Sequence, residues 1–222
     1  MRLITSIALL LGIGTIAADE GRLAQPAPPG ERPFLTLNAF PLEANAYQSR
    51  TAELVKAKIP EKFGHKEWAA IVLTHEFHQH LGIYTTLGAK MATRAAECLD
   101  APMRTVQIEA ECSAKQPWAC FADGLQAGLG STLGQNLIRI LETETPRVAA
   151  TFEYRGRKLR LALKPEPERQ IAEFIQQAIR AHANLTPEYF EAVEEYSYRV
   201  WAEFDRHEIF DETWLAEPSP RP

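Results

Sequence analysis

The sequence predicts an α+β fold, a mainly antiparallel sheet packed with helices and followed by a C-terminal helical extension. Three observations carry this reading. Residues 104–112, RTVQIEAEC, alternate Val106, Ile108 and Ala110 against polar neighbours, the period of a half-buried strand. Residues 148–165, VAATFEYRGRKLRLALKP, read as two strands joined around Arg155-Gly156, with Leu159, Leu161 and Leu163 on one face. From Pro167 onward the apolar residues recur instead at helical spacing.

Taken in chain order, residues 1–18 have the form of a signal peptide. Arg2 precedes about fourteen apolar residues, then come the small Ala17 and Ala18 and the acidic Asp19-Glu20. The apolar run is shorter than the ~20 residues a spanning helix needs, so the mature chain is expected to be periplasmic or secreted, with no membrane span. Residues 19–33 form a proline-rich linker. The predicted core occupies residues 34–165. Within it, NAYQSRTAELVKAK reads as an amphipathic helix stopped by Pro60, and KEWAAIVLTH as a helix whose end delivers a histidine cluster. YTTLGAKMATRAAECL places Leu87, Met91, Ala95 and Cys98 on one helical stripe, and Pro117 opens a buried helix through CFADGLQAGLG. Residues 166–215 form the helical extension and 216–222 a disordered tail. In that extension Thr186 and Pro187 open a helix whose aromatic stripe around Trp201 packs either on the core or on a partner subunit.

The balance of 24 basic against 29 acidic side chains, a net charge of -5, has the wrong sign for a nucleic-acid binder. With 45% hydrophobic residues the chain can fill a core. Cys98, Cys112 and Cys120 are odd in number, so at least one is unpaired within the chain; Cys112 and Cys120 either close a short loop or both stay reduced.

The segment THEFHQHLG holds three of the six histidines, His75, His78 and His80. It does not fit the His-Glu-x-x-His protease pattern, because Gln79 stands where the second histidine would be. His78 and His80, at i and i+2, point the same way on an extended backbone and there serve one metal or one cavity. The glycines of GLQAGLGSTLGQN run G-x-G-x-x-x-G, one residue too long for a dinucleotide fingerprint, and suit a tight turn or a close helix contact. Glu109 and Glu111 are acid/base candidates if their strand face lines the cavity. Arg155, Arg157, Lys158 and Arg160 read as a solvated strand edge, and His182 and His207 as surface residues.

Together, FHQHLG and CFADGLQAGLGSTLGQN followed by a basic hairpin resemble the FmdE family, which takes its name from a component of formylmethanofuran dehydrogenase. Phe77, His78, His80 and Leu81 match its first block; Cys120, Asp123, Gln126, Gly130, Thr132, Gly134 and, more loosely, Asn136 match its second. The resemblance covers roughly residues 45 to 165. It implies a core that commonly dimerises, with His78, His80, Cys120 and Asp123 converging on a divalent transition metal, zinc first. Gln126, Gly130, Thr132 and Gly134 are its candidate cofactor-binding positions. Gly82 and Ser131 stand where the family has cysteine, and no cysteine follows Cys120 to build the zinc finger some members carry. The alternatives are a metal-free pocket for a small organic ligand, with His78 or His80 as general acid/base, and a non-enzymatic dimeric scaffold.

Overall fold

The computed structural model describes residues 40–216; the signal peptide, the linker and the tail beyond residue 216 lie outside them. The described chain runs α1 (Ser49–Lys56), α2 (Ile59–Phe63), α3 (His65–His78), α4 (Ile83–Leu99), β1 (Gln107–Ala110) and α5 (Ala119–Leu129). It continues through β2 (Ile138–Ile140), β3 (Ala149–Tyr154), β4 (Arg157–Leu163), α6 (Pro165–His182), α7 (Pro187–Glu203) and β5 (Phe210–Ala216). The strands form one mixed sheet in the order β2-β1-β3-β4-β5. Only the β1/β2 pair is parallel. The α+β, mainly antiparallel expectation holds.

The β3–β4 hairpin pairs Tyr154 with Arg157, leaving Arg155 and Gly156 as its two-residue turn. Both have positive φ, 51° and 78°, the requirement of the turn whose twist matches that of its strands. Alternation then sends Phe152, Leu159 and Leu161 to one face of the sheet, fully buried with Ile108 and Ala110. There they meet Leu87, Met91 and Leu99 of α4 and Phe121, Leu125 and Leu129 of α5 in one cluster. A second cluster joins α2, α3 and α7 around Phe63, Trp68, Ile71 and Trp201.

Helices α4 and α5 meet backbone to backbone. A Cβ added to Gly124 would fall against the carbonyl oxygen of Thr85 and 2.7 Å from the Ala89 nitrogen, and one added to Gly128 would lie 2.5 Å from Ala92 Cβ. Gly124 and Gly128 therefore serve helix packing. Gly130 ends α5 in the left-handed region at φ 64°.

Several sequence expectations need correction. The first helix does end before Pro60, at Lys56, but Pro60 then sits in the first turn of the short α2, where a missing N–H costs nothing. Residues 166–215 are not helical throughout, because β5 returns to the sheet and pairs with β4 from Leu163↔Phe210 to Lys158↔Ala216. β4 is consequently an interior strand, and its basic residues do not form a solvated edge. Arg157 donates to the carbonyls of Leu99 and Cys98, both at 2.9 Å, at the end of α4, and its guanidinium lies over Trp214. Arg160 grips Glu111 through two bonds of 2.5 and 2.6 Å. Trp201 is 1% exposed and its ring centroid is 4.6 Å from that of Trp68, so it belongs to the chain's own core and not to a partner surface.

The charged interior is unexpected. Glu67 and Lys90 are fully buried and bonded at 2.6 Å. Arg206 joins them at 3.0 Å from Glu67, also donates to the Phe63 carbonyl, and reaches Glu97. Partial burial acts to raise the Glu97 pKa, but Arg206, then His207 and Arg94, outweigh it and hold the carboxyl below its ordinary value. A depressed folded-state pKa contributes stability above the unfolded value that disappears as pH falls through the folded one. Acid titration of unfolding should therefore show stability declining below the ordinary carboxylate range, with a shallower decline in Glu97→Gln; identical slopes would refute this role.

Candidate metal centre

The site is assembled at one end of α3 and α5. Helix α3 closes on Gln79, a non-glycine residue in the left-handed region (φ 62°), whose N–H donates to His75 O at 2.8 Å and whose side chain donates to Glu76 O at 2.6 Å. That turn leaves His78 on the last helical position and folds His80 back over it, ring centroids 4.3 Å apart. The two imidazoles do share one region, but through a left-handed turn and not along an extended backbone. His75, three residues before His78 on the same helix, shares its helical face but is not in the donor group.

On α5, Cys120 and Asp123 are three residues apart and so occupy one helical face. The close α4/α5 contact and the packing of α3 on α5 set this face against His78. A donor atom from each of His78, Cys120 and Asp123 lies within 4.8 Å of the others, and His78 Nε2 is 3.5 Å from Asp123 Oδ2. His80 is outside this trio: it is exposed, and its Nδ1 bonds to the His78 carbonyl at 3.1 Å.

Burial governs the electrostatics. It lowers the His78 pKa, with His80 adding to the effect and Asp123 opposing it. It raises the Asp123 carboxyl, against the pull of His78, and raises the Cys120 thiol, where Asp123 adds to it. Each shift favours the uncharged form, as expected for donors collected in a half-dry recess without a compensating cation. His78 Nδ1 is buried without a hydrogen-bond partner, a deficit costing about 1–3 kcal/mol when nothing satisfies it.

The residues around the trio take other roles. Gln126 Oε1 accepts from Leu133 N at 3.0 Å, holding the turn after α5. Gly130 caps α5 and Thr132 precedes a short 3-10 turn over Leu133–Gln135; an added Cβ at Gly134 would meet nothing within 4 Å. Glu109 and Glu111 sit on the sheet's other face, paired with Arg139 and Arg160, and do not join the trio. All three cysteines are free. Burial pushes Cys98 and Cys112 up to about 11, which keeps both as inert thiols. Gly82 is the N-cap of α4, its N–H donating to Thr85 Oγ1 at 3.1 Å; a Cβ there would lie 3.9 Å from His80 Nε2.

What fold and site define together is an α+β protein with a histidine, a cysteine and an aspartate gathered at the ends of two packed helices. The model of the family described as FmdE, molybdenum formylmethanofuran dehydrogenase operon, matches residues 77–208. That is more than half of the chain, and the chain belongs to the FmdE family. The match begins at Phe77, the first residue of the histidine block, and continues past residue 165 through α6 and α7, farther than the sequence motifs reach. Among solved structures, the chain is similar to a tungsten formylmethanofuran dehydrogenase FmdE-like protein from Syntrophus aciditrophicus, at 14% identity and a TM-score of 0.44, covering 69% of this chain and 73% of that one. No curated protein matches.

Proposed function

We propose that His78, Cys120 and Asp123 hold one divalent transition metal, zinc in the first instance, and that the chain works as an exported metal-binding member of its family. The observation that carries the reading is the convergence of an imidazole, a thiol and a carboxylate, one donor atom from each within 4.8 Å of the others, in a half-buried recess. A bound cation would reverse the electrostatic balance, favouring thiolate and carboxylate. Tetrahedral zinc with bonds of 2.0–2.3 Å spaces its donors about 3.3–3.7 Å apart, and the 3.5 Å between His78 and Asp123 fits that spacing. The mixed nitrogen, sulfur and oxygen set suits zinc. Three protein donors leave a tetrahedral ion one position for water or substrate, the arrangement that supplies Lewis-acid chemistry in hydrolases and lyases. Export is supported by the leader-like residues 1–18.

Protein purified without an affinity tag and passed through buffer exchange is expected to hold about one equivalent of zinc per chain. His78→Ala and Cys120→Ser should each release it, whereas His80→Ala should keep it. Cobalt substitution gives a second readout: a sulfur-to-cobalt charge-transfer band that Cys120→Ser abolishes. Stoichiometric metal retained by both His78→Ala and Cys120→Ser would overturn the assignment.

A further inference from the structure

A second recess lies between α6 and the beginnings of α4 and α5, with a volume of about 220 Å³. Its walls are apolar and aromatic. Ile171 and Ile175 of α6 face Tyr84 and Trp118, whose ring centroids are 4.9 Å apart. Of the side chains that line it, Glu168 alone is charged. Among the described residues Glu168 has no ion-pair partner, because the neighbouring Arg169 is taken by Glu166 and Glu173. Burial first, and then Tyr189 and Glu168, push the Tyr84 phenol up to about 12, so that its hydroxyl stays neutral.

Another recess, on the outer face of the sheet, differs in its charge balance. It is lined by Glu109, Arg139, Glu153 and Lys158, whose charges neutralise one another in ion pairs. The α6 recess has two aromatic faces, aliphatic walls and one carboxylate with no internal counter-charge. Aromatic faces attract cations through their ring quadrupoles, a carboxylate adds direct Coulomb attraction, and both repel anions. The space is smaller than the ~300–1,000 Å³ clefts that take drug-sized ligands, so it suits a single ring or a short alkyl chain.

We propose that this recess binds a small organic ammonium ion, its apolar body between the Tyr84–Trp118 pair and Ile171/Ile175 and its nitrogen against Glu168. The site is distinct from the metal trio and does not depend on it.

Three ligands of matched shape test this on the full chain by calorimetric titration: 2-phenylethylammonium, 2-phenylethanol and 3-phenylpropionate. The expected order is ammonium, then alcohol by about fivefold or more, then carboxylate weakest. Glu168→Gln, an exposed and conservative change, should bring the ammonium down to the alcohol. Ala172→Phe, which adds bulk at the recess wall, should abolish binding of both. The same titrations on His78→Ala should be unchanged. The proposal fails if the carboxylate binds as well as the ammonium, if no ligand saturates up to millimolar concentration, or if Glu168→Gln preserves the preference. It fails equally if Ala172→Phe leaves binding intact, or if His78→Ala removes ammonium binding, which would assign the amine to the metal trio.

Discussion

Glu67→Ala should destabilise the chain by about 3–5 kcal/mol, lowering its melting temperature by on the order of 10 °C. The reason is the company Glu67 keeps. Its two carboxylate oxygens serve two cations, Lys90 at 2.6 Å and Arg206 at 3.0 Å, and neither Glu67 nor Lys90 exposes any surface. Burial pushes the Lys90 pKa down while Glu67 pulls it back up. Remove the carboxylate, and Lys90 keeps the face of Phe63, 4.2 Å from its nitrogen, and the attraction of the Asp205 carboxylate as favourable neighbours. It must then either lose its proton or remain as an uncompensated buried charge. Arg206 suffers less, because Glu97 and the Phe63 carbonyl still hold it.

The paired replacement Glu67→Leu with Lys90→Met separates loss of attraction from stranded charge. Both groups leave together, and the desolvation penalty leaves with them. The double variant should therefore recover most of the stability lost by Glu67→Ala. Urea unfolding with an unchanged slope is the measurement. A single-variant loss below about 1 kcal/mol would show that the charges are solvated or mobile, contrary to their burial.

That network also marks where sequence reading stopped. Glu67 opens the apolar run of α3 and Lys90 sits within the stripe of Leu87, Met91 and Ala95; periodicity weighs hydrophobic positions and passes over a charge among them. Their meeting needs α3 beside α4, which no local pattern encodes. The β3–β4 hairpin lay open because its information is local: two alternating runs and an Arg-Gly turn. β5 stayed hidden because only Phe210 is buried and Trp214 half-buried, too little alternation to show, and its pairing is nonlocal.

The site divides the same way. Cys120 and Asp123 were readable as a same-face pair once α5 was placed, whereas His78, expected on an extended segment past the helix, is the last residue of α3. The position of His80 was not readable, because it depends on the left-handed Gln79, a conformation no sequence rule assigns to glutamine. The glycines told half their story. Their spacing excluded a dinucleotide loop, but the requirement at Gly88, Gly124 and Gly128 comes from the helix packed against each of them, which is distant in sequence.

That requirement gives the second large effect. Gly124→Ala should cost about 3 kcal/mol, the upper range for overpacking, because the added methyl group meets backbone on every side. It would strike the Thr85 carbonyl and lie 2.7 Å from Ala89 N and 2.9 Å from Gly88 Cα. No rotamer relieves such contacts; α5 must move away from α4. The consequence extends to metal, because Cys120 and Asp123 ride on α5 while His78 is fixed on α3. A displacement of a few tenths of an ångström alters their convergence and should weaken zinc binding tenfold or more, an effect of about 1.4 kcal/mol. The control is Gly134→Ala, whose methyl group meets nothing within 4 Å and should change stability by no more than about 0.5 kcal/mol. Competition against a zinc-chelating dye, run beside urea unfolding, reads both quantities. If Gly124→Ala loses stability yet binds zinc as the parent does, the donors do not depend on the α4/α5 contact and another element must position α5. If it loses neither, the close approach of the two helices is refuted.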